Sequence, residues 1–312
     1  MRYTLKQLRY LEAAARLRSI TAAANEFNIS PSSIAAAIDA IEAETDQTLF
    51  NRHPSKGVTP TRFGRDFLIN VRELLQSHQK FETTLSGISD KLEGSIRMGC
   101  FTPIAPIVLP LILKLVSDQH PTLSMQIIEG DAENMVELLN AEKIDLALTY
   151  SIGVPERFHF QSLFYAPPHI TLSTDHPLAS KECLTLEELA DEPLILLNLD
   201  RTRTYMLDLF KQRGLTPNVL YSSHSSEMVR SLVAAGFGYA IFNVKPRNKQ
   251  TYTMGDLVRI PLASDHLVPE FGIIHYGKSG LTQVAQAVIE ACAQLKSEGT
   301  FLDFVVTPID AK

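Results

Sequence analysis

The stretch that decides the fold of the amino-terminal region runs from Leu17 to Leu49 and reads LRSITAAANEFNISPSSIAAAIDAIEAETDQTL. We interpret it as two helices joined by a tight turn, because Asn28 and Ile29 interrupt the helical period. Ser30 and Pro31 then favour a new helix, since a hydroxyl residue is a good N-cap and proline fits the first helical position. The apolar stripe of this second helix consists of Ile34, Ile38 and Ile41. Alanines on the first helix allow the close approach that a helix-turn-helix needs.

The flanking residues favour a winged helix-turn-helix over an ordinary helical hairpin in a larger core. Upstream, apolar residues at helical spacing predict a third helix, and these are Leu5, Leu8, Leu11 and Ala15. Downstream, residues 50–60 have turn residues at their tip and place Arg52 and Lys56 on a short hairpin. We interpret this hairpin as a β-wing.

Composition sets the broad class of the protein. A chain of 312 residues with 45% hydrophobic and 21% charged residues is typical of a globular protein of two or three domains. No apolar run is long enough for a membrane span, and the first residues lack the apolar centre of a signal peptide. The absence of such a run predicts no membrane partner. The three cysteines fit no metal spacing, and an odd number of cysteines without a signal peptide predicts reduced thiols in the cytoplasm.

The net charge of −6 is unevenly distributed. Residues 1–66 carry nine Lys/Arg and seven Asp/Glu, a net +2, whereas residues 67–312 carry 20 and 28, a net −8. This asymmetry has the direction expected of a nucleic-acid-binding segment attached to an acidic body.

Three segments together resemble the LysR-type transcriptional regulators. They are LKQLRYLEAAARLRSITAAANEFNISPSSIAAAIDAIEAE (5–44), LFNR (49–52) and GVTPTRFG (57–64). The resemblance continues through the rest of the chain. It implies a homodimer or homotetramer that binds double-stranded DNA at an inverted-repeat operator and responds to a small-molecule effector.

The predicted DNA contacts fall into two groups. Residues placed to contact the phosphate backbone are Thr21, Ser30, Arg52, Lys56, Thr59 and Arg62. Residues placed to face base edges are Ser32, Ser33 and Ala36. The family's usual S-Q-P-A-L-S-R-Q-I pattern is SPSSIAAAI in this chain, so the glutamine and arginine that commonly reach bases are replaced. Specificity is therefore expected from methyl contacts, the wing, weaker direct readout or DNA shape.

Residues 61–91 predict a long linker helix with a heptad-like seam, formed by Phe63, Phe67, Val71, Leu74, Leu75, Phe81, Leu85 and Ile88. Such a helix can pair with a copy of itself or pack on its own domain. The resemblance favours pairing, because the corresponding helix of the family is its dimerisation element.

From residue 92 onward, short apolar strands alternate with helices, which predicts mainly parallel sheets covered on both faces. The overall class is α+β multidomain: a winged helix-turn-helix (1–60), a linker helix (61–91) and an effector-binding domain (92–312). The last is expected to be two-lobed and periplasmic-binding-protein-like. Lobe 1 covers about 92–164 plus 267–312, and lobe 2 about 165–266.

Polar and aromatic residues follow several predicted strands, where a cleft between lobes would lie. The candidate effector-binding residues are Phe101, Thr102, Pro103, Glu129, Tyr150, Asn198, Arg201, His224, Phe242 and Asn243. Backbone N–H groups beside Thr102 could hold an anion. A cleft with both Arg201 and Glu129 suits a carboxylate or an amino acid.

Other functional classes have less support. A solute-binding protein would need an export signal and would not need a DNA-binding wing. An enzyme on an α/β fold would need a nucleophile or acid–base set, and we identify no catalytic residue, no metal site and no cofactor motif. Cys100 could act as a redox sensor, but a small buried apolar residue is the simpler interpretation.

Overall fold

The computed structural model describes residues 3–53, 57–86, 92–253, 255–263, 268–277 and 281–307. The chain divides into two compact units: Met1–Lys91 with Tyr276–Gln283, and Leu92–His275 with Val284–Lys312. Among the described residues, every helix is too short or too polar to cross a lipid bilayer.

The first unit is a winged helix-turn-helix followed by a long helix. Its elements are α1 (Leu5–Leu17), α2 (Ile20–Glu26), α3 (Pro31–Thr45), β1 (Phe50–His53), β2 (Gly57–Pro60) and α4 (Arg62–Ser86). The two strands pair antiparallel, with Asn51 opposite Thr59 and Arg52 opposite Val58. The predicted wing and the predicted helix upstream of the helix pair are thus confirmed.

The core of this unit includes the residues that the sequence placed on the helical stripes. Leu11, Ile34, Ile38 and Ile41 are fully buried. Ala23 of α2 is fully buried as well, which explains why the first helix of the pair carries small residues: larger side chains would separate it from α3.

Backbone turns fix the angles between these elements. Ser19 caps α2 by accepting a hydrogen bond from the amide of Ala22 at 3.1 Å. Asn28 has a positive φ of 53°, a conformation that asparagine tolerates better than most residues and that reverses the chain before α3. Gly57 also has a positive φ, and a Cβ there would collide with the carbonyl oxygen of Arg18, so the wing can return only through a glycine.

The first half of α4 packs on its own unit. Leu68 and Val71 are buried in the helix-turn-helix core, and Phe67 packs partly against it. The seam residues Phe63 and Leu74 are 40% and 38% exposed, so part of the predicted seam is buried in the core and part lies on the surface. The seam positions Phe81, Leu85 and Ile88 lie outside the side chains that the structure describes.

The second unit alternates strands and helices. In chain order its elements are β3 (Gly94–Phe101), α5 (Ala105–Gln119), β4 (Leu123–Gly130), α6 (Ala132–Asn140), β5 (Leu146–Tyr150), β6 (Phe158–Tyr165), β7 (His169–Ser173), β8 (Pro193–Leu197), α7 (Asp200–Gln212), β9 (Asn218–Ser223), α8 (Ser226–Ala234), β10 (Ala240–Phe242), β11 (Leu257–Pro261), β12 (Glu270–Tyr276) and α9 (Gln283–Ser297). The sequence pattern does not predict β11.

Two sheets of equivalent order form two lobes. Lobe 1 contains the sheet β4-β3-β5-β12-β6. Lobe 2 contains β10-β7-β11 and β8-β9, which hydrogen bonds from Ile195 to Tyr239 and from Tyr239 to Pro193 join into the order β9-β8-β10-β7-β11. In each order, the strands of two successive βα units lie on one side of the strand by which the chain enters that lobe from the other. This strand is β12 in lobe 1 and β7 in lobe 2.

The expectation of mainly parallel strands holds with one exception in each lobe. In lobe 1, β3 pairs parallel with β4 and β5, whereas β12 is antiparallel to β5. In lobe 2, β8 and β9 are parallel, whereas β7 is antiparallel to β10 and β11. The exceptions, β12 and β7, are the strands by which the chain enters each lobe from the other. They lie outside the right-handed βαβ units that impose parallel pairing.

Candidate functional site: a recognition helix and an interlobe cavity

The amino-terminal turn of α3 carries a cluster of exposed hydroxyl groups. Ser30 is the N-cap residue, but its side chain makes no capping hydrogen bond to the helix backbone. Its Oγ instead lies 2.8 Å from Oγ of Ser32 and 2.9 Å from Oγ of Ser33. Ala36 is exposed on the same helix. The three residues predicted to face base edges therefore lie on one accessible surface of α3.

The residues predicted to contact phosphates have different environments. Thr21 in α2 and Arg62 at the start of α4 are exposed, and Thr59 is half-buried on β2. Lys56 lies outside the described residues.

Arg52 holds the wing against α3. Its guanidinium donates to the carboxylates of Asp39 and Glu42, and Oε1 of Glu42 accepts the amides of Leu49 at 2.6 Å and Phe50 at 3.0 Å. A phosphate would have to compete with two carboxylates for the Arg52 side chain, so its position suits a structural role.

A cavity of about 640 Å³ lies between lobe 1 and lobe 2. Nine of the ten candidate effector residues line it: Phe101, Thr102, Pro103, Glu129, Tyr150, Arg201, His224, Phe242 and Asn243. Asn198 does not, and its amide donates to the carbonyl of Ser223, which continues the β8–β9 pairing.

The lobe 1 wall contains an aromatic pair. Phe101 and Tyr150 contact edge to face with ring centroids 5.7 Å apart. The amide of Thr102 donates to the carbonyl of Gly130 at 2.9 Å, and the amide of Ile104 donates to that of Phe101 at 3.0 Å. These two amides already have backbone acceptors, so they do not favour an anion here, and the expected anion site at Thr102 stays a prediction.

Arg201 connects the two lobes. Its Nη1 atom donates to the carbonyl oxygens of Ile152 at 3.1 Å and Gly153 at 2.8 Å. Asn243 lies at the crossing between the lobes, where its side chain donates to the carbonyl of Ala166 at 2.8 Å and lies 3.4 Å from the hydroxyl of Tyr205. Glu129 and His224 are exposed at the rim of the cavity.

The lobe 2 wall contains a polar group that sequence reasoning missed. It consists of His169 on β7, Arg230 on α8, Lys245 after β10 and Arg259 on β11. Arg259 lies opposite Thr171, on the same face of the sheet as His169. The sequence signal for this group is a charged residue two positions after the buried Leu257, in a strand that the sequence pattern does not predict.

Burial and like charges shift the pKa values of this group. Burial, helped by Arg259 and Lys245, lowers the pKa of His169 to about 3, so the imidazole is neutral at pH 7. Burial and the charge of Arg230 lower the pKa of Arg259 to about 10. Burial, Arg259 and Lys249 lower the pKa of Lys245 against the opposing effect of Asp303.

The cysteines and the acidic residues provide no second kind of site within the described ranges. No group of three or more His, Cys, Asp or Glu side chains is arranged there to hold a metal ion. Cys100 and Cys292 are buried, and burial raises the pKa of both thiols.

Two protein-family models together match most of the chain. Residues 5–65 match the model described as bacterial regulatory helix-turn-helix protein, lysR family, and residues 89–296 match the LysR substrate binding domain. The chain is similar to YvbU, an uncharacterized HTH-type transcriptional regulator of Bacillus subtilis, with 28% identity over 77% of this chain and 81% of that protein. It is also similar to the HTH-type transcriptional regulator CysB of Haemophilus influenzae, with 27% identity over 76% of this chain and 74% of that protein.

Solved structures agree with these matches. HinK, a LysR family transcriptional regulator from Pseudomonas aeruginosa, is 29% identical with a TM-score of 0.62, over 94% of this chain and 98% of that one. A full-length OxyR variant from the same organism has a TM-score of 0.68 at 20% identity, over 93% and 96% of the two chains, and this likeness concerns the fold alone. An exposed recognition helix, a wing and a two-lobed α/β domain, together with matches to both family models, place this chain in the LysR family of DNA-binding transcriptional regulators.

Proposed function

We propose that a small molecule bound between lobe 1 and lobe 2 controls how this regulator engages its operator. The observation that carries the proposal is the interlobe cavity, whose volume of about 640 Å³ lies in the range of small-molecule sites. An effector can act in this way only to the extent that it binds one arrangement of the protein better than another. A carboxylate or an amino acid is the effector class that we favour.

The partner is double-stranded DNA with an inverted repeat, read by α3 and the wing of each subunit in the cytoplasm. The exposed side chains at the start of α3 support major-groove contact. Because Ser32, Ser33 and Ala36 offer little bidentate hydrogen bonding, we expect DNA shape and phosphate contacts to supply much of the affinity.

We propose three functional segments with the boundaries 1–60, 61–91 and 92–312, and a homodimer or homotetramer as the active species. Exposed apolar side chains on α4 support pairing between subunits. A two-fold symmetric protein matches a two-fold symmetric operator.

Binding of the full-length protein to its own upstream DNA tests the proposal. If each subunit neutralises two phosphates, for instance through Lys56 and Arg62, a dimer should lose about a hundredfold in affinity between 50 and 200 mM salt. Ser33→Asp places a negative charge on the surface of α3 and should weaken binding by at least about tenfold.

Ser180→Asp is the matched control, because Ser180 is an exposed serine of the second unit. Equal DNA affinity of the two variants, or an affinity independent of salt, would refute DNA recognition by α3.

A further inference from the structure

The lobe 2 wall of the cavity carries more positive charge than nearby carboxylates neutralise. Arg230 pairs with Glu227, whose other oxygen accepts the amide of Tyr252 at 2.8 Å. Lys245 and Arg259 also line the cavity, and neither forms an ion pair with a carboxylate anywhere in the described ranges of the chain. Three cations thus line this wall, and the carboxylates near them, Glu227 and Asp303, are already paired with Arg230 and Arg247.

A buried histidine beside these cations lacks a hydrogen-bond partner. His169 is 1% exposed and lines the cavity. Its Nδ1 atom is buried and makes no hydrogen bond to the described residues. Buried polar atoms in native proteins are nearly always paired, so an unpartnered nitrogen on a residue that lines the cavity indicates a missing partner. A carboxylate or phosphoryl oxygen would accept a hydrogen bond from this nitrogen.

The pKa shifts of the group agree with a shortage of negative charge. Apart from burial, the pKa of His169 is lowered by Arg259 and Lys245, and that of Arg259 by Arg230. The pKa of Lys245 is lowered by Arg259 and Lys249, against the opposing effect of Asp303. Each cation therefore disfavours the charge of its neighbour. An anion placed among them would reverse the sign of this interaction.

The rest of the cavity is suited to an apolar body. Phe101, Tyr150, Tyr205 and Phe242 line it. The two anchors that the sequence suggested for an anion already have partners, since Nη1 of Arg201 is bonded to lobe 1 carbonyls and the amide of Thr102 to Gly130. Arg259 likewise donates to the carbonyl oxygen of Asn248, but the closeness of Arg230, Lys245 and Arg259 concentrates positive charge on this wall of lobe 2.

We propose that the effector is an organic anion whose acidic group binds among His169, Lys245 and Arg259 in lobe 2, with its apolar body against the aromatic wall. This inference rests on the proposed function and specifies the chemistry of its effector. It moves the anion site away from Arg201, where the sequence placed it. Carboxylates and phosphate esters share the required chemistry.

Thermal unfolding of the full-length protein at constant ionic strength tests the anion site. The probes are benzoate and phenylacetate, their neutral amides benzamide and phenylacetamide, and inorganic phosphate. At concentrations far above its dissociation constant, a carboxylate should raise the Tm by at least about 2 °C, and the matched amide should not. A shift with phosphate alone would identify a phosphoryl group as the acid and retain the anion site.

Two substitutions locate the site. Lys245→Met and Arg259→Met should abolish the shift, whereas Lys249→Met should retain it, because Lys249 is exposed and does not line the cavity. Without an anion, Lys245→Met should unfold at the wild-type temperature or above, because a repulsive charge has been removed. A lysine with only a structural role would lower the Tm when replaced.

Three results would overturn the inference: equal shifts with carboxylates and amides, equal loss of the shift in the Lys245 and Lys249 variants, or no anion-dependent shift in the wild-type protein. Operator binding is measured separately. A protein that binds DNA without an anion-dependent shift would contradict the inference alone, and a shift without DNA binding would contradict the proposed function alone.

Discussion

At the scale of single residues, Glu42 joins the recognition helix to the wing. Its side chain accepts the amides of Leu49 and Phe50, two residues that are at most 2% exposed, and it contacts Arg52. Glu42→Ala should lower the free energy of unfolding of the first unit by about 1–3 kcal/mol for each amide left unpaired. Urea denaturation measures this loss, and hydrogen exchange should show faster exchange at residues 49 and 50.

Glu42→Gln is the control, because it retains the oxygen that accepts both amides and removes only the charge. It should lose less than half as much stability as the alanine variant. Equal stability of Glu42→Ala and the wild-type protein would show that water replaces the carboxylate without cost.

At the scale of elements, β9 exposes an apolar surface at the edge of lobe 2. Val219, Leu220 and Tyr221 are 43–46% exposed, and among the described strands β9 pairs only with β8. An apolar edge strand with unpaired backbone groups favours association. Leu220→Lys should raise the dissociation constant of the homo-oligomer by at least about tenfold, measured by sedimentation equilibrium.

Leu302→Lys serves as the matched control, because Leu302 is 67% exposed in the short 3₁₀ turn Thr300–Phe304. If both variants associate as tightly as the wild-type protein, β9 takes no part in the interface. If both dissociate equally, the effect is one of added charge.

Elements with a strong local signal could be predicted from the sequence, and those that depend on distant contacts could not. Ser30 and Pro31 mark the start of α3 by local chemistry, and the structure begins that helix at Pro31. By contrast, β11 is five residues long with a charge at its centre, and only its pairing with β7 makes it a strand. The same holds for the site. Nine cavity residues could be predicted because they follow the ends of predicted strands. His169 and Arg259 could not, because only the pairing of β7 with β11 brings them together.

At the scale of the whole molecule, the proposed function requires that the cavity and the operator influence each other. Thermodynamic linkage makes this influence reciprocal: if an effector changes DNA affinity by some factor, DNA changes effector affinity by the same factor. We expect a factor of about 5–150, the usual range of allosteric coupling. The probe is the anion that gives the largest shift in Tm.

Fluorescence anisotropy with labelled upstream DNA gives the dissociation constant for DNA with and without that anion. Calorimetric titration gives the dissociation constant for the anion with and without saturating DNA. The two ratios should agree within error, and a DNA of scrambled sequence should leave the anion affinity closer to that of the free protein. Ratios of one in both directions would mean that the cavity binds anions without controlling the operator, and the effector would then have to be sought among molecules that distinguish the two arrangements.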